Sequence, residues 1–324
     1  MAYYDHTYTN GVIAVREKNL LKEKISRLCE LSAEEAFRAL LDCGYGGGAE
    51  TTADVYEYEK LIAVEELAID AFIREYAPSE VEKAYLLSER DFHNAKALLK
   101  AAYLGVSAEK LFAPEGLISI ERLKNCIDEK KFDTLENAAL ADACARAIEV
   151  LDEGLFGAKV GVIFERAKYA HLQKVAKKNK VLKKLLTAKL DMLNILIALR
   201  CGEEKLAQEQ YLPMGTLSEE DLKALFIEDK ERAQKAFDGT DYQDFVKTCF
   251  SALEKGLPMT EAEKVLDGYD VQFFGRHKYE LARSEPFLYY VYRRKVESEN
   301  IRVVFVCLLA GLREQDVKKR LRGI

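Results

Sequence analysis

The sequence has 324 residues, 49% hydrophobic and 32% charged, with five Pro, no Trp and a formal net charge of −6. That length accommodates one large core or two to three smaller ones. The negative balance argues against a general nucleic-acid binder, whose affinity comes from neutralising phosphates, but it leaves room for a local basic patch.

Few prolines among many Ala, Leu, Glu and Lys favour helix throughout. Residues 11–41 read as a helix pair, with Val12, Val15, Leu20, Leu21, Ile25 and Leu28 on an apolar face. Ser32-Ala33-Glu34-Glu35 offers a capping box for the second helix, and Cys43-Gly44-Tyr45-Gly46-Gly47-Gly48 breaks it. Residues 53–76 form an acidic amphipathic helix through Leu61, Val64, Ala68, Ala71 and Phe72, halting before Pro78. Further helices are predicted over 79–104, from Ile120 to Glu129, from Thr134 to Asp152, and over 158–200 as two helices or one bent one. Another starts at Glu219, and two or three more lie around Pro258 and Gly268 in residues 228–283. A long helix then begins at Pro286, where the missing N–H costs nothing, and ends at Gly311. A short one carrying Val317 and Leu321 follows.

Acid-x-x-Asn followed by an aliphatic residue or Ala occurs at Asp91–Asn94, Asp191–Asn194 and Glu297–Asn300, with the asparagines 100 and 106 residues apart. Pro-x-Gly recurs at Pro114–Gly116 and Pro213–Gly215, each followed by two apolar or small residues and Ser. Gly105, Gly202 and Gly311 lie eight or eleven residues beyond their Asn. A degenerate copy stands at Arg16-Glu17-Lys18-Asn19-Leu20, with Ser32 thirteen residues after its Asn. Ordered landmarks at one spacing mark an internal repeat of about 100 residues. The units are predicted at 1–128, 129–228 and 229–324. An acid and an Asn three residues on share a helix face. Mid-helix Asn competes with the helix's own backbone bonds, so its recurrence implies a partner that it satisfies. The pairs are read as half-buried polar pins that fix helix register.

Catalytic and metal motifs are missing from the sequence. The four histidines (His6, His93, His171, His277) form no i, i+3 or i+4 pair, and no Glu-x-x-His occurs, so no zinc or di-iron site is expected. His93 lies inside the repeat, but Leu193 and Glu299 replace it in the sister units. Gly44 to Gly48 lacks the Gly-Lys-Ser/Thr and the preceding strand of a phosphate loop. The seven cysteines are dispersed without CxxC spacing, which fits a reducing compartment. The start Met1-Ala2-Tyr3-Tyr4-Asp5 carries no signal peptide, and the longest apolar stretch, Val303 to Leu312, is too short to span a bilayer. No cofactor and no small-molecule substrate are expected.

One charge feature stands apart. Arg166, Lys168, Lys174, Lys177, Lys178, Lys180, Lys183, Lys184 and Lys189 follow one another with no acid between Arg166 and Lys189. The run reads either as a solvated helix face or as a contact with an acidic protein surface or an anionic headgroup layer. Lys177, Lys178, Lys183 and Lys184 are the candidate contact residues.

The triplicated Asp/Glu-x-x-Asn helix, the Pro-x-Gly turn followed by Ser, and the ending Tyr292-Arg293-Arg294-Lys295-Val296-Glu297-Ser298-Glu299-Asn300-Ile301-Arg302, then Gly311-Leu312 and Leu321-Arg322-Gly323-Ile324, resemble the C subunit of prokaryotic V-type (A-type) rotary ATPases. The eukaryotic relative is the V-ATPase d subunit, or AC39 family. The sequence departs from the pattern where Arg16 replaces the acid and where the third unit lacks Pro-x-Gly. The resemblance implies an all-α protein, three related helical bundles in a pseudo-threefold funnel, with no active site of its own. It implies a central-stalk rotor subunit on the cytoplasmic face of the membrane, peripheral, joining the D and F subunits of the stalk to the membrane proteolipid ring. Ion transport is then linked to ATP hydrolysis or synthesis. On that reading, charge reversal at the four lysines weakens binding to the ring or stalk. The alternatives are an all-helical adaptor unrelated to rotary motors and an all-helical enzyme, the latter needing an Asp-rich or Glu/His cluster that is not seen.

Overall fold

The computed structural model describes residues 5–21, 24–47, 54–154, 157–213, 215–280 and 282–323. Gly48 of the glycine-rich loop, Met214 of the second Pro-x-Gly turn, Ile324 and the side chain of Asn19 lie outside the described residues. The fold is all-α, and no strand occurs among the described residues.

In chain order the helices are α1 (His6–Arg16), α2 (Lys24–Leu28), α3 (Ala33–Asp42), α4 (Tyr58–Tyr76), α5 (Glu80–Leu104), α6 (Ile120–Asp128), α7 (Ala138–Asp152), α8 (Ala158–Ala176) and α9 (Lys180–Cys201). There follow α10 (Glu204–Gln208), α11 (Glu219–Ala224), α12 (Lys230–Lys235), α13 (Gln243–Glu254), α14 (Thr260–Gly275), α15 (Glu285–Leu309) and α16 (Glu314–Lys318).

Local chemistry sets most boundaries. Ser32 and Glu35 complete a reciprocal capping box at α3, with bonds of 3.2 and 3.0 Å. Ser218 and Asp221 do the same at α11. Asn179 settles the 158–200 stretch as two helices, because its side-chain oxygen accepts from Val181 and Leu182 at 2.9 and 3.2 Å and starts α9 afresh. Gly202 and Gly311 end α9 and α15 with positive φ, where a Cβ would be strained.

Four readings of the sequence change, the first being the 53–76 helix, which starts only at Tyr58 after a 3-10 turn over Val55–Glu57. The 11–41 pair is interrupted by a 3-10 turn over Glu17–Asn19 and extended backbone at Leu20, so it contains three helices. Thr134 belongs to a 3-10 turn, and α7 starts after the Asn137 cap. Gly268 lies inside α14 and breaks nothing. A Cβ there would sit 3.0 Å from Gly323 Cα, so the missing side chain admits the tail of the chain.

The chain forms two compact units, one made of residues 1–83 with 263–324 and the other of residues 84–262. In the first, α15 is the central helix, buried along most of its length and packed by α1, α2, α3, α4 and α16. Its core includes Ile25, Phe37, Leu40, Leu61, Ile301, Val304, Phe305 and Val317. Phe305 stacks on Tyr58 at 5.0 Å and meets Phe37 edge-on at 6.1 Å. In the second unit Phe92, Leu99, Leu123, Leu140, Cys144 and Phe164 form a core between α5, α6, α7 and α8.

Candidate functional site

All six residues of the repeated signature are buried, with exposures of 4% or less. They lie deeper than a half-buried pin, and each holds a distant stretch of backbone. On α5, Asn94 pairs with both polar groups of Ala113: its oxygen accepts the Ala113 N–H at 2.9 Å and its nitrogen donates to the Ala113 carbonyl at 3.2 Å. On α9, Asn194 does the same to Leu212 at 2.8 and 2.9 Å. On α15, Asn300 does the same to Arg322, both bonds at 2.8 Å. A primary amide has the donor and acceptor needed to imitate a strand edge, which explains Asn at this position.

The acids three residues earlier hold the turn that follows. Asp91 accepts from Leu117 and Ile118 at 3.2 and 3.0 Å. Asp191 accepts from Thr216 and Leu217 backbone at 2.7 and 3.1 Å, and from the Thr216 and Tyr242 hydroxyls at 2.6 Å each. The glycine of each Pro-x-Gly turn now has a reason. A Cβ on Gly116 or Gly215 would overlap the Oδ1 of the carboxylate that the turn wraps.

The third acid has no such turn after it, and Leu21 answers to it instead. Its N–H donates to Glu297 Oε2 at 2.7 Å. Glu297 also pairs with Arg294, which reaches Glu65 on α4 as well. Arg294 is thus a buried guanidinium between two carboxylates. Burial pushes the Glu297 carboxyl above its usual range, opposed by the pull of Arg294. Ser298 beside it bonds the Tyr45 hydroxyl at 3.2 Å, and burial holds that phenol well above its ordinary value. Glu65 and Arg294, with Arg16, Tyr45, Phe72 and Tyr290, line a cavity of about 350 Å³.

The nine basic residues separate into two sets. Arg166 donates to the carbonyls of Tyr211 and Gln208, at 3.0 and 3.5 Å. Lys168 is buried, 2.6 Å from Glu165 and 3.4 Å from Glu89. These two are structural. Lys174, Lys177, Lys178, Lys180, Lys183 and Lys184 are exposed around the α8–α9 turn, and Lys189 is half-buried.

Among the described residues no three His, Cys, Asp or Glu side chains gather where they could hold a metal ion. His93 bonds the Leu111 carbonyl at 2.9 Å, in the same loop that Asn94 holds. All seven cysteines are free. Sequence reasoning missed Leu21, Glu65, Arg294 and Tyr242. Arg294 stood in the quoted ending, but its ion-pair partner is 229 residues away. No spacing rule connects them.

The buried side chains therefore define a class of protein: an all-helical one whose polar residues fasten its own loops. The chain belongs to the ATP synthase (C/AC39) subunit family, whose model matches residues 9–320. It is similar to the C subunit of the V-type sodium ATPase of Enterococcus hirae, 21% identical over 277 residues, covering 83% of each chain. It is also similar to the C subunit of the A-type ATP synthase of Methanocaldococcus jannaschii, 23% identical over 352 aligned positions, covering 98% of this chain and 86% of that one.

Proposed function

We propose that this chain is a non-catalytic rotor subunit of a V/A-type ATPase, joining the central stalk to the proteolipid ring on the cytoplasmic face of the membrane. The observation that carries the reading is the family match across residues 9–320. The names of the two relatives, both C subunits of rotary machines, support it. Among the described residues no helix is long and apolar enough to cross a membrane, which fits a peripheral place. A coupling element has to resist twisting. Buried bonds between one helix and a distant loop serve that need, because such polar pairs fix register.

The partners on this reading are the D and F subunits of the stalk and the proteolipid ring, with ion flow linked to ATP hydrolysis or synthesis. The repeat is read as threefold, with units near 1–128, 129–228 and 229–324. The third copy would borrow the backbone around Leu21 in place of the Pro-x-Gly turn that it lacks. The test is to tag the chain and pull it from detergent-solubilised membranes of its own cell. Co-purification of the ring and stalk subunits is the expected result. A tagged chain recovered from the solubilised membranes without either would overturn the assignment.

A further inference from the structure

The six exposed lysines have an order of their own. Lys174, Lys177 and Lys178 close α8, and Lys180, Lys183 and Lys184 open α9, so the same i, i+3, i+4 spacing stands on both sides of one turn. The α9 triplet shares one helix face, where like charges at that spacing destabilise a helix. Of the other three, Lys174 lies in the last turn of α8, Lys177 caps it and Lys178 follows in the turn. Lys180 and Lys183 also face the positive end of the α9 macrodipole, with no acid in that first turn. Some lysines elsewhere are ion-paired: Lys60 with Glu57, Lys96 with Glu165, Lys318 with Glu30 and Glu314. The α8 lysines suit the negative end of that helix, whereas those opening α9 work against the fold. The tip still gathers six positive charges on a chain that carries −6.

We propose that the α8–α9 tip docks on an anionic lipid surface. Three observations favour headgroups over an acidic protein. Every charged residue of the tip is lysine. Ammonium groups are hydrated point charges suited to mobile phosphates, whereas arginine is the usual choice for fixed, bidentate carboxylate recognition. It carries no apolar anchor, since no large hydrophobic residue is exposed between Leu117 and Leu206 among the described residues. Protein interfaces gain most of their energy from such anchors. Finally, the lysines surround a short turn between two helices packed on each other, which presents charge outward. The contact is electrostatic and superficial, without insertion. The negative remainder of the chain is repelled by the same surface, which orients the tip toward it.

This inference requires no rotary partner, so protein-free vesicles test it separately from the assignment above. The full chain is sedimented with vesicles of phosphatidylcholine alone and of phosphatidylcholine mixed with phosphatidylglycerol. Binding is expected to the mixed vesicles only and should fall steeply as salt rises. The variant combining Lys177→Gln, Lys178→Gln, Lys183→Gln and Lys184→Gln should bind weaker by about fivefold per lysine, about six hundredfold in all. A matched variant with Lys124→Gln, Lys130→Gln, Lys205→Gln and Lys247→Gln removes the same charge elsewhere and should bind like the unmodified chain. Equal binding to both vesicle types, or an equal loss in the two variants, overturns the proposal. So does tip-dependent binding to poly-glutamate without binding to the mixed vesicles, which would assign the tip to an acidic protein.

Discussion

Glu297 accepts the backbone N–H of Leu21 at 2.7 Å across 276 residues of chain. The bond fastens the entrance of α2 to the centre of α15, and the same carboxylate holds one side of Arg294. Glu297→Ala should destabilise the protein by about 3–5 kcal/mol, because it leaves a buried guanidinium short of a partner and an amide without an acceptor. Glu297→Gln keeps an acceptor for Leu21 and should cost about half as much. Urea unfolding gives the size of each effect. Hydrogen exchange at the Leu21 amide should quicken in the Ala variant and much less in the Gln variant.

Gly215→Ala should be costly because the new methyl meets the Asp191 carboxylate, not because of backbone strain. Its effect should therefore shrink in an Asp191→Ala background, with a coupling of about 0.5–3 kcal/mol in a double-mutant cycle. Gly161→Ala provides the contrast. It lies within α8 with nothing within 4 Å of an added Cβ, and should stabilise by about 0.5–1 kcal/mol.

Asn300→Ala should free the C-terminal tail. Both backbone polar groups of Arg322 lose their partner, although its guanidinium still pairs with Asp267 and Arg293 still donates to the Gly323 carbonyl at 3.0 Å. A loss of about 1–3 kcal/mol is expected. Carboxypeptidase should trim this variant faster than the parent.

The helices and their caps were legible because they depend on neighbours in sequence: Ser32 with Glu35, Pro286 near the start of α15, Gly311 after its end. The signature residues were legible as a repetition. Their targets were not, because a buried acid tells nothing about which amide will reach it. Asp91 and Asp191 could be matched to Gly116 and Gly215 by common spacing, whereas Glu297 is answered from the opposite end of the chain. The basic run mixed two populations for a similar reason. Arg166 and Lys168 look like their neighbours in sequence, and only the loop carrying Tyr211 and the carboxylates of Glu89 and Glu165 set them apart.

His171 on α8 packs beside Phe92 at 5.7 Å with its Nε2 buried and unpartnered. Burial first, then the charge of Lys174, holds its pKa below the usual 6.5. The folded chain resists a proton that the unfolded chain accepts, so stability falls as pH drops below about 6.5. His171→Phe should flatten that slope in unfolding curves taken across the window.

Thiol labelling should divide the cysteines by depth. Cys43 is exposed and should react first with a maleimide in the folded protein. Burial pushes Cys144 and Cys249 up to about 12, so they should stay unmodified until denaturant is added. Peptide mapping before and after unfolding reads the order.

The link between Leu21 and Glu297 also sets a timetable for synthesis. Residues 84–262 can pack as they emerge, because everything they need is contiguous. The helices of residues 6–42 cannot, since their central partner α15 is made long after them. At about 5–20 residues per second they wait on the order of half a minute. During that interval Ile25, Phe37 and Leu40 lack the part of their core that α15 supplies, Ile301, Val304 and Phe305. A nascent chain stalled before residue 285 would therefore expose them, and its N-terminal stretch would be the natural target of chaperones and proteases.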